Sequence, residues 1–190
     1  RAAAGKPVGI LLDTKGPEVR IRDFENGKVE LKEGQEFVLY SDEQPGTERG
    51  VSLSYPTLYR DVSMGTRILI DDGLIEMIVL KLEGKDIVCK VLNDGTISNK
   101  KGVNVPDAHL SMPYLSEKDK QDILFGIEQD VDFIAASFVR TEADVMAIRT
   151  LLDQNGGENI RIIAKIENRE GVENIDDIIA VSEGVMVARG

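Results

Sequence analysis

Cysteine occurs once in this sequence (Cys89), histidine once (His109), and tryptophan not at all. A lone thiol excludes a disulfide framework, and one cysteine with one histidine excludes a Cys/His zinc site. Any resident metal must be held by oxygen, which points to magnesium, calcium, manganese or potassium. Aromatic residues are only 5% of the chain, too few for a platform on which bases stack. Positive charge is short as well: 23 Lys and Arg stand against 34 Asp and Glu, a net charge of −11. That balance argues against nucleic acid or an anionic membrane as a partner, because a phosphate backbone rewards a broad basic face. It leaves room for a local cluster of lysines and backbone N–H groups on a phosphate. Long apolar runs are missing too. Val8–Leu12 and Phe133–Val139 fall far short of the roughly 20 residues a membrane helix needs, and the first is too short for a secretory signal. No membrane partner is expected, and a cytoplasmic setting is.

What is present is an ordinary globular composition, 42% hydrophobic and 30% charged over 190 residues, enough for one large domain or two small ones. The texture changes twice along the chain. PVGILLD (7–13) is a continuous apolar run ending on an acid, which reads as a strand buried on both faces of a parallel sheet. Gly16-Pro17 then punctuates it. From Glu18 to about Pro113 come short alternating strands (EVRIRDF, KVELK, QEFVLY, TRILI, IEMIVLKL, DIVCKVL) divided by turn dipeptides, the pattern of a small all-β sandwich or barrel. A helical turn is expected near Tyr55–Asp61, capped by Ser54.

From Ser116 onward, helix and strand alternate. Ser116-x-x-Asp119 resembles a capping box, followed by Ile123, Leu124 and Ile127 at helical period. DFIAASFV (132–139) and IRIIAKI (160–166) read as buried strands. Thr141-x-x-Asp144 is expected to cap a helix with Val145, Ile148 and Leu152 on its apolar face, stopped by Asn155-Gly156-Gly157. A last helix over 170–181 is expected to bury Val172, Ile175 and Ile179, before a strand at 184–188. Buried strands alternating with amphipathic helices imply right-handed βα units around a parallel sheet. The β-rich middle is then an insertion, and four parallel strands are too few to close an eight-stranded barrel, so the chain is expected to be truncated at both ends.

Functional groups in such architectures sit at the C-terminal ends of strands. Those positions hold Asp13-Thr14-Lys15, Ser137 to Arg140, Lys165 with Glu167, and Arg189-Gly190. Lys165 and Glu167 project from one face of their strand, about 6.6 Å apart along it. A carboxylate there can hold magnesium while the ammonium neutralises a transferring phosphoryl group; a structural ion pair is the plainer alternative. Asp13 and Thr14 oxygens can coordinate a cation, or merely form a polar turn into the insertion. Asn99-Lys100-Lys101-Gly102 can meet nucleotide phosphates or be solvated decoration. Asp71-Asp72-Gly73 reads as a hairpin turn, His109 as a surface residue, and Cys89 as core. The five methionines read as packing.

LLDTKGPEVR (11–20), LIDDGLI (69–75), NKKGVNVP (99–106), LSEKDKQDI (115–123), FIAASFVR (133–140), IIAKIENREGVENIDDI (162–178) and GVMVARG (184–190) together resemble the pyruvate kinases, in a bacterial style and in order over nearly the whole chain. The resemblance implies a partial (β/α)8 barrel of the TIM type, strands 3 to 6, interrupted by a small β-barrel cap: residues 1–16 and 113–190 in the barrel, 17–112 in the cap. It implies phosphoryl transfer from phosphoenolpyruvate to ADP, giving pyruvate and ATP, with Mg2+ (or Mn2+) and K+ as cofactors. Lys165 matches the catalytic lysine, which also contacts substrate. Glu167 matches a magnesium ligand, Asp13 and Thr14 match potassium ligands, and Glu18 an acid tied to potassium dependence. Arg20 and Lys101 match nucleotide-phosphate contacts, and Gly190 a backbone contact to the substrate carboxylate. A homo-oligomeric parent, tetrameric in the family, is also implied. The family's second magnesium ligand is an Asp directly after the MVARG glycine, where this sequence stops. Upstream potassium ligands, a substrate arginine and a downstream threonine are likewise absent. The segment alone is therefore expected to be inactive and to self-associate through exposed barrel edges. Two other readings compete: a non-catalytic nucleotide- or partner-binding β-domain, which leaves Lys165 and Glu167 unexplained, and a related barrel enzyme acting without ADP, which leaves the cap cations unexplained.

Overall fold

Two leucines and an aspartate form the first strand, β1 (Leu11–Asp13), in a computed structural model that describes residues 5–106 and 108–188. Nine strands follow: β2 (Val19–Arg20), β3 (Lys28–Leu31), β4 (Glu36–Tyr40), β5 (Gly50–Ser52), β6 (Arg67–Ile70), β7 (Ile75–Glu83), β8 (Asp86–Val91), β9 (Gly95–Ser98) and β10 (Gly102–Asn104). Helices and strands then alternate through α1 (Glu117–Glu128), β11 (Phe133–Ala136), α2 (Glu142–Asp153), β12 (Arg161–Ile166), α3 (Arg169–Glu173), α4 (Ile175–Val181) and β13 (Gly184–Val187). They form two units, Arg1–Pro17 with Met112–Gly190, and Glu18–Ser111.

The first unit is a half-barrel. Its sheet runs β1-β11-β12-β13, every pair parallel, with Asp13 beside Ala135 and Ala136 beside Ala164. Ile134, Ala135, Ala136, Ile162 and Ala164 are buried, as strands covered on both faces require. Ile123, Val145, Ile148, Leu152 and Ile178 supply the helix side of the same core. Helix α1 starts where the capping box predicts: the Ser116 hydroxyl accepts the Asp119 N–H and the Asp119 carboxylate accepts the Ser116 N–H. Helix α2 ends in a left-handed Gly156, with the Gly157 N–H returned to Leu152 O at 2.8 Å.

Several sequence expectations are corrected here. The run 7–13 is neither a long strand nor buried on both faces, since Val8, Ile10 and Leu11 are exposed. The ladder breaks at Ile10, whose N–H goes to the Asp132 carboxylate at 2.6 Å and whose carbonyl takes the Asp132 and Phe133 N–H groups. The helix expected over 170–181 is two helices broken at Asn174. The Asn174 amide reaches Glu170 O and Arg140 O, and the break turns Ile178 inward while Val172 and Ile179 face out. Thr141 stands at the start of α2 without a side-chain cap: the Asp144 N–H goes to the Thr141 carbonyl at 3.2 Å, and the Asp144 carboxylate pairs with Arg140 instead of returning to the cap. Ser54 does not cap the 3-10 turn at Leu58–Arg60; its hydroxyl accepts the Arg20 N–H instead. Of the methionines read as packing, Met77 is fully buried but Met64, Met146 and Met186 are exposed.

The second unit is a closed β-structure. Seven strands run β2-β10-β6-β7-β8-β4-β5, and β3 pairs β9 separately. The first and last strands meet through the Ile21–Leu53 bridge, with Arg22 N–H to Ser52 O and Ser54 N–H to Arg20 O closing the ring. A closed ring leaves no free edge. Asp71, Asp72 and Gly73 all have positive φ, as a tight β6–β7 hairpin turn demands.

Candidate active site

At the C-terminal ends of β1, β11 and β12, polar groups converge on one amine. Lys165 Nζ donates to Asp13 Oδ1 at 3.1 Å and Oδ2 at 3.3 Å, and to Ser137 Oγ at 3.0 Å. Glu167 Oε1 lies 3.6 Å from the same nitrogen. The Lys165 and Glu167 side chains are 13% and 9% exposed, while that of Asp13 is 59% exposed and forms the wet side of the cluster. A nearly desolvated ammonium needs partners of this kind, because burial without them costs several kcal/mol on the order expected for an ion.

The backbone beneath is tightly determined. Glu167 Oε2 accepts the Phe138 N–H at 2.8 Å, and Phe138 sits at φ 54°, a left-handed conformation that bulky residues rarely adopt. The Thr14 hydroxyl donates to Ala135 O and accepts the Ser137 N–H at 3.1 Å. Tyr114 donates its hydroxyl to Ser137 O at 3.0 Å, and burial pushes that phenol well above its ordinary value. Asp119, fully buried, accepts the Lys15 and Gly16 N–H groups on Oδ1 while Oδ2 serves Ser116, so one carboxylate caps α1 and clamps the exit of β1. Gly16 has φ 69°, and a Cβ there would stand 2.5 Å from Ser137 O. Arg140, at the same strand end in sequence, is committed instead to Asp144, Met112 O and the Tyr114 ring. A cleft of about 450 Å³ opens at the opposite ends of the strands, lined by Gly9, Asp132, Phe133 and Arg161 among others, and holds none of the converging charges. In parallel α/β folds the chemistry belongs to the C-terminal ends.

In the second unit, antiparallel pairing sets Arg20 opposite Gly102 and so beside Lys101. The Arg20 guanidinium engages both Glu18 oxygens and Lys100 O, the last at 2.6 Å. Lys101 Nζ meets Asp71 Oδ1 at 3.0 Å. An anionic ligand on these two cations must compete with Glu18 and Asp71. Gly190 lies outside the described residues.

The model of the pyruvate kinase barrel domain matches residues 1–190. The chain belongs to the pyruvate kinase family. It is 51% identical over 191 residues to a pyruvate kinase of Clostridium acetobutylicum, covering 100% of this chain and 40% of the relative. It is 54% identical over 188 residues to pyruvate kinases of Bacillus licheniformis and Geobacillus stearothermophilus, covering 98% of this chain and 32% of each. The chain thus spans well under half the length of these pyruvate kinases. Among the described residues, no helix is long and apolar enough to cross a membrane.

Ser137 and Phe138 stand among the strand-end positions that the sequence singles out, but nothing in it gives them a role, and Asp119 reads only as a helix cap. A neutral serine inside an apolar run carries no charge signal. The available hint was Gly16-Pro17, since a glycine forced into a tight exit implies a close neighbouring backbone, here Ser137 O.

Proposed function

We propose that this chain carries part of the active site of an enzyme that transfers the phosphoryl group of phosphoenolpyruvate to ADP. The bond from phosphorus to the enol oxygen breaks, a bond to the terminal phosphate oxygen of ADP forms, and the released enolate takes a proton at carbon to give pyruvate. The observation that carries this reading is the Lys165 ammonium, desolvated and held 3.0 to 3.6 Å from Ser137, Asp13 and Glu167. Catalysis of phosphoryl transfer rests mainly on positioning and charge neutralisation, which such an amine supplies.

The donor set suits hard cations. Glu167 Oε2 is tied to the Phe138 N–H, while Oε1 has only the loose contact to Lys165 and is the oxygen for magnesium or manganese. Among the described residues no group of three His, Cys, Asp or Glu forms a self-sufficient metal site. That accords with magnesium, which keeps waters and binds through one or two carboxylates plus substrate phosphates. Asp13 is assigned to potassium together with Thr14, whose hydroxyl donates to Ala135 O and accepts the Ser137 N–H, fixing the residue at the strand end. The cations add electrostatic stabilisation of the transferring group, and Lys165 supplies the protein's own share. Arg20 and Lys101 are assigned to the nucleotide phosphates, and Gly190 to the substrate carboxylate. We assign 1–16 and 113–190 to the catalytic barrel and 17–112 to the cap, in a cytoplasmic homo-oligomer.

The test is a coupled pyruvate assay on a full-length enzyme bearing this segment. Activity with phosphoenolpyruvate and ADP is expected to vanish with a magnesium chelator and to fall sharply when sodium replaces potassium. Full activity in sodium, with potassium rigorously removed, contradicts the Asp13 and Thr14 assignment. Pyruvate formation at the same rate without ADP contradicts the kinase reading.

A further inference from the structure

Among the described residues, three polar side chains bond or pair with Lys165 Nζ, and two of them, Asp13 and Glu167, are carboxylates. Ser137 is the neutral one, at 3.0 Å. An ammonium has no lone pair, so the Ser137 hydroxyl can only accept from it. Its single proton must then go elsewhere, and Asp13 Oδ1 stands 3.0 Å away. Chemistry alone thus fixes the orientation of this hydroxyl, lone pair toward Lys165 and proton toward Asp13.

Ser137 is also unusually well anchored. It is buried, its N–H is held by the Thr14 hydroxyl at 3.1 Å, and its carbonyl takes the Tyr114 O–H at 3.0 Å. Gly16 packs so closely on that carbonyl that a methyl group would not fit between them. With the backbone held on both groups, Oγ can move only by a χ1 rotation that breaks its bonds to Lys165 Nζ and Asp13 Oδ1. We propose that Ser137 is the positioning residue of Lys165, an uncharged tether that aims the ammonium without neutralising it.

This inference rests on the phosphoryl-transfer reading, which also explains why the tether should be neutral. Carboxylates that engage cations no longer fix the amine by ion pairing. A full negative charge kept on Lys165 would also weaken its pull on charge developing at the phosphoryl group. A hydroxyl holds direction and leaves the unit charge intact.

The test uses Ser137→Ala and the near-isosteric Ser137→Cys in the full-length enzyme. With alanine, kcat is expected to fall about 10- to 100-fold, the cost of a misplaced catalytic group, with KM for phosphoenolpyruvate within about threefold. Cysteine, a weak acceptor, is expected to fall between alanine and the parent, and it carries the comparison if alanine fails to fold. A second readout needs no turnover: the rate of Lys165 acetylation by acetic anhydride, measured by peptide mass spectrometry relative to Lys28 and Lys85. That ratio is expected to rise severalfold in both variants. Unchanged kcat, a rise in KM at constant kcat, or an unchanged labelling ratio overturns the proposal. If the parent itself makes no pyruvate, the phosphoryl-transfer reading fails, while the labelling ratio still decides whether Ser137 holds Lys165.

Discussion

Buried charge persists only where its partners match it, and Asp119 and Lys165 meet that requirement differently. Lys165 faces acids, whereas Asp119 has hydrogen-bond donors on both oxygens and no cation among the contacts described above. Asp119→Ala leaves the Lys15 and Gly16 N–H groups unpaired, one of them in a buried bond, and is expected to cost at least about 2 kcal/mol in urea unfolding. Asp122, three residues on, pairs with exposed Lys118, and Asp122→Ala is expected to cost under about 1 kcal/mol. Equal midpoint shifts in the two variants would show that the Asp119 clamp contributes nothing beyond an ordinary surface pair. At Cys89 burial pushes the thiol up to about 12, so the folded thiol stays protonated, and thus unreactive, through neutral and mildly alkaline pH. Iodoacetamide at pH 8 is expected to leave Cys89 unmodified until denaturant opens the β-unit; rapid alkylation of the native chain would contradict its burial.

Between elements, the contact that matters most is the one between the exit of β1 and the end of β11. Gly16 allows it by combining a left-handed φ with the absence of a side chain. Gly27 is also left-handed, at φ 75°, but nothing lies within 4 Å of its missing Cβ. Gly16→Ala therefore adds a clash with Ser137 O to the backbone strain, and Gly27→Ala carries the strain alone. Thermal unfolding is expected to show the larger loss for Gly16→Ala, together with reduced turnover in the full-length enzyme; equal losses would mean that the close approach is not constrained. This contact is also where sequence reasoning stopped. Helices α1 and α2 were legible because their apolar period and stop signals agree, and Lys165 with Glu167 because two charges end an apolar strand. The break at Asn174 was not legible, since its side-chain bond to Arg140 O depends on residues 34 apart. Strands β5, β9 and β10 are three or four residues long and show too little alternation to register. Ser137 and Phe138 gained their roles from φ 54° at Phe138 and from neighbours distant in sequence, neither of which leaves a local pattern.

At the level of the whole chain, the two units differ in how their edges are managed. The β-unit closes its ring, whereas β1 and β13 each pair on one side only, with Val8, Leu11, Val185 and Val187 exposed. Unpaired apolar edges recruit other chains. The 190-residue chain is expected to associate with itself in light scattering, with amide exchange faster in β1 and β13 than in β7 and β8. A strict monomer with equal protection in all four strands would contradict this. Every role assigned above depends on the strand-end cluster being the place where the phosphoryl group moves. Steady-state kinetics of Lys165→Met in a full-length enzyme bearing this segment tests that most directly. On the proposed reading neutralisation by Lys165 peaks in the transition state, so kcat should fall about a thousandfold or more while KM for phosphoenolpyruvate stays near the parent value. Preserved kcat with only KM raised would make Lys165 a ground-state binding residue and place the chemistry elsewhere.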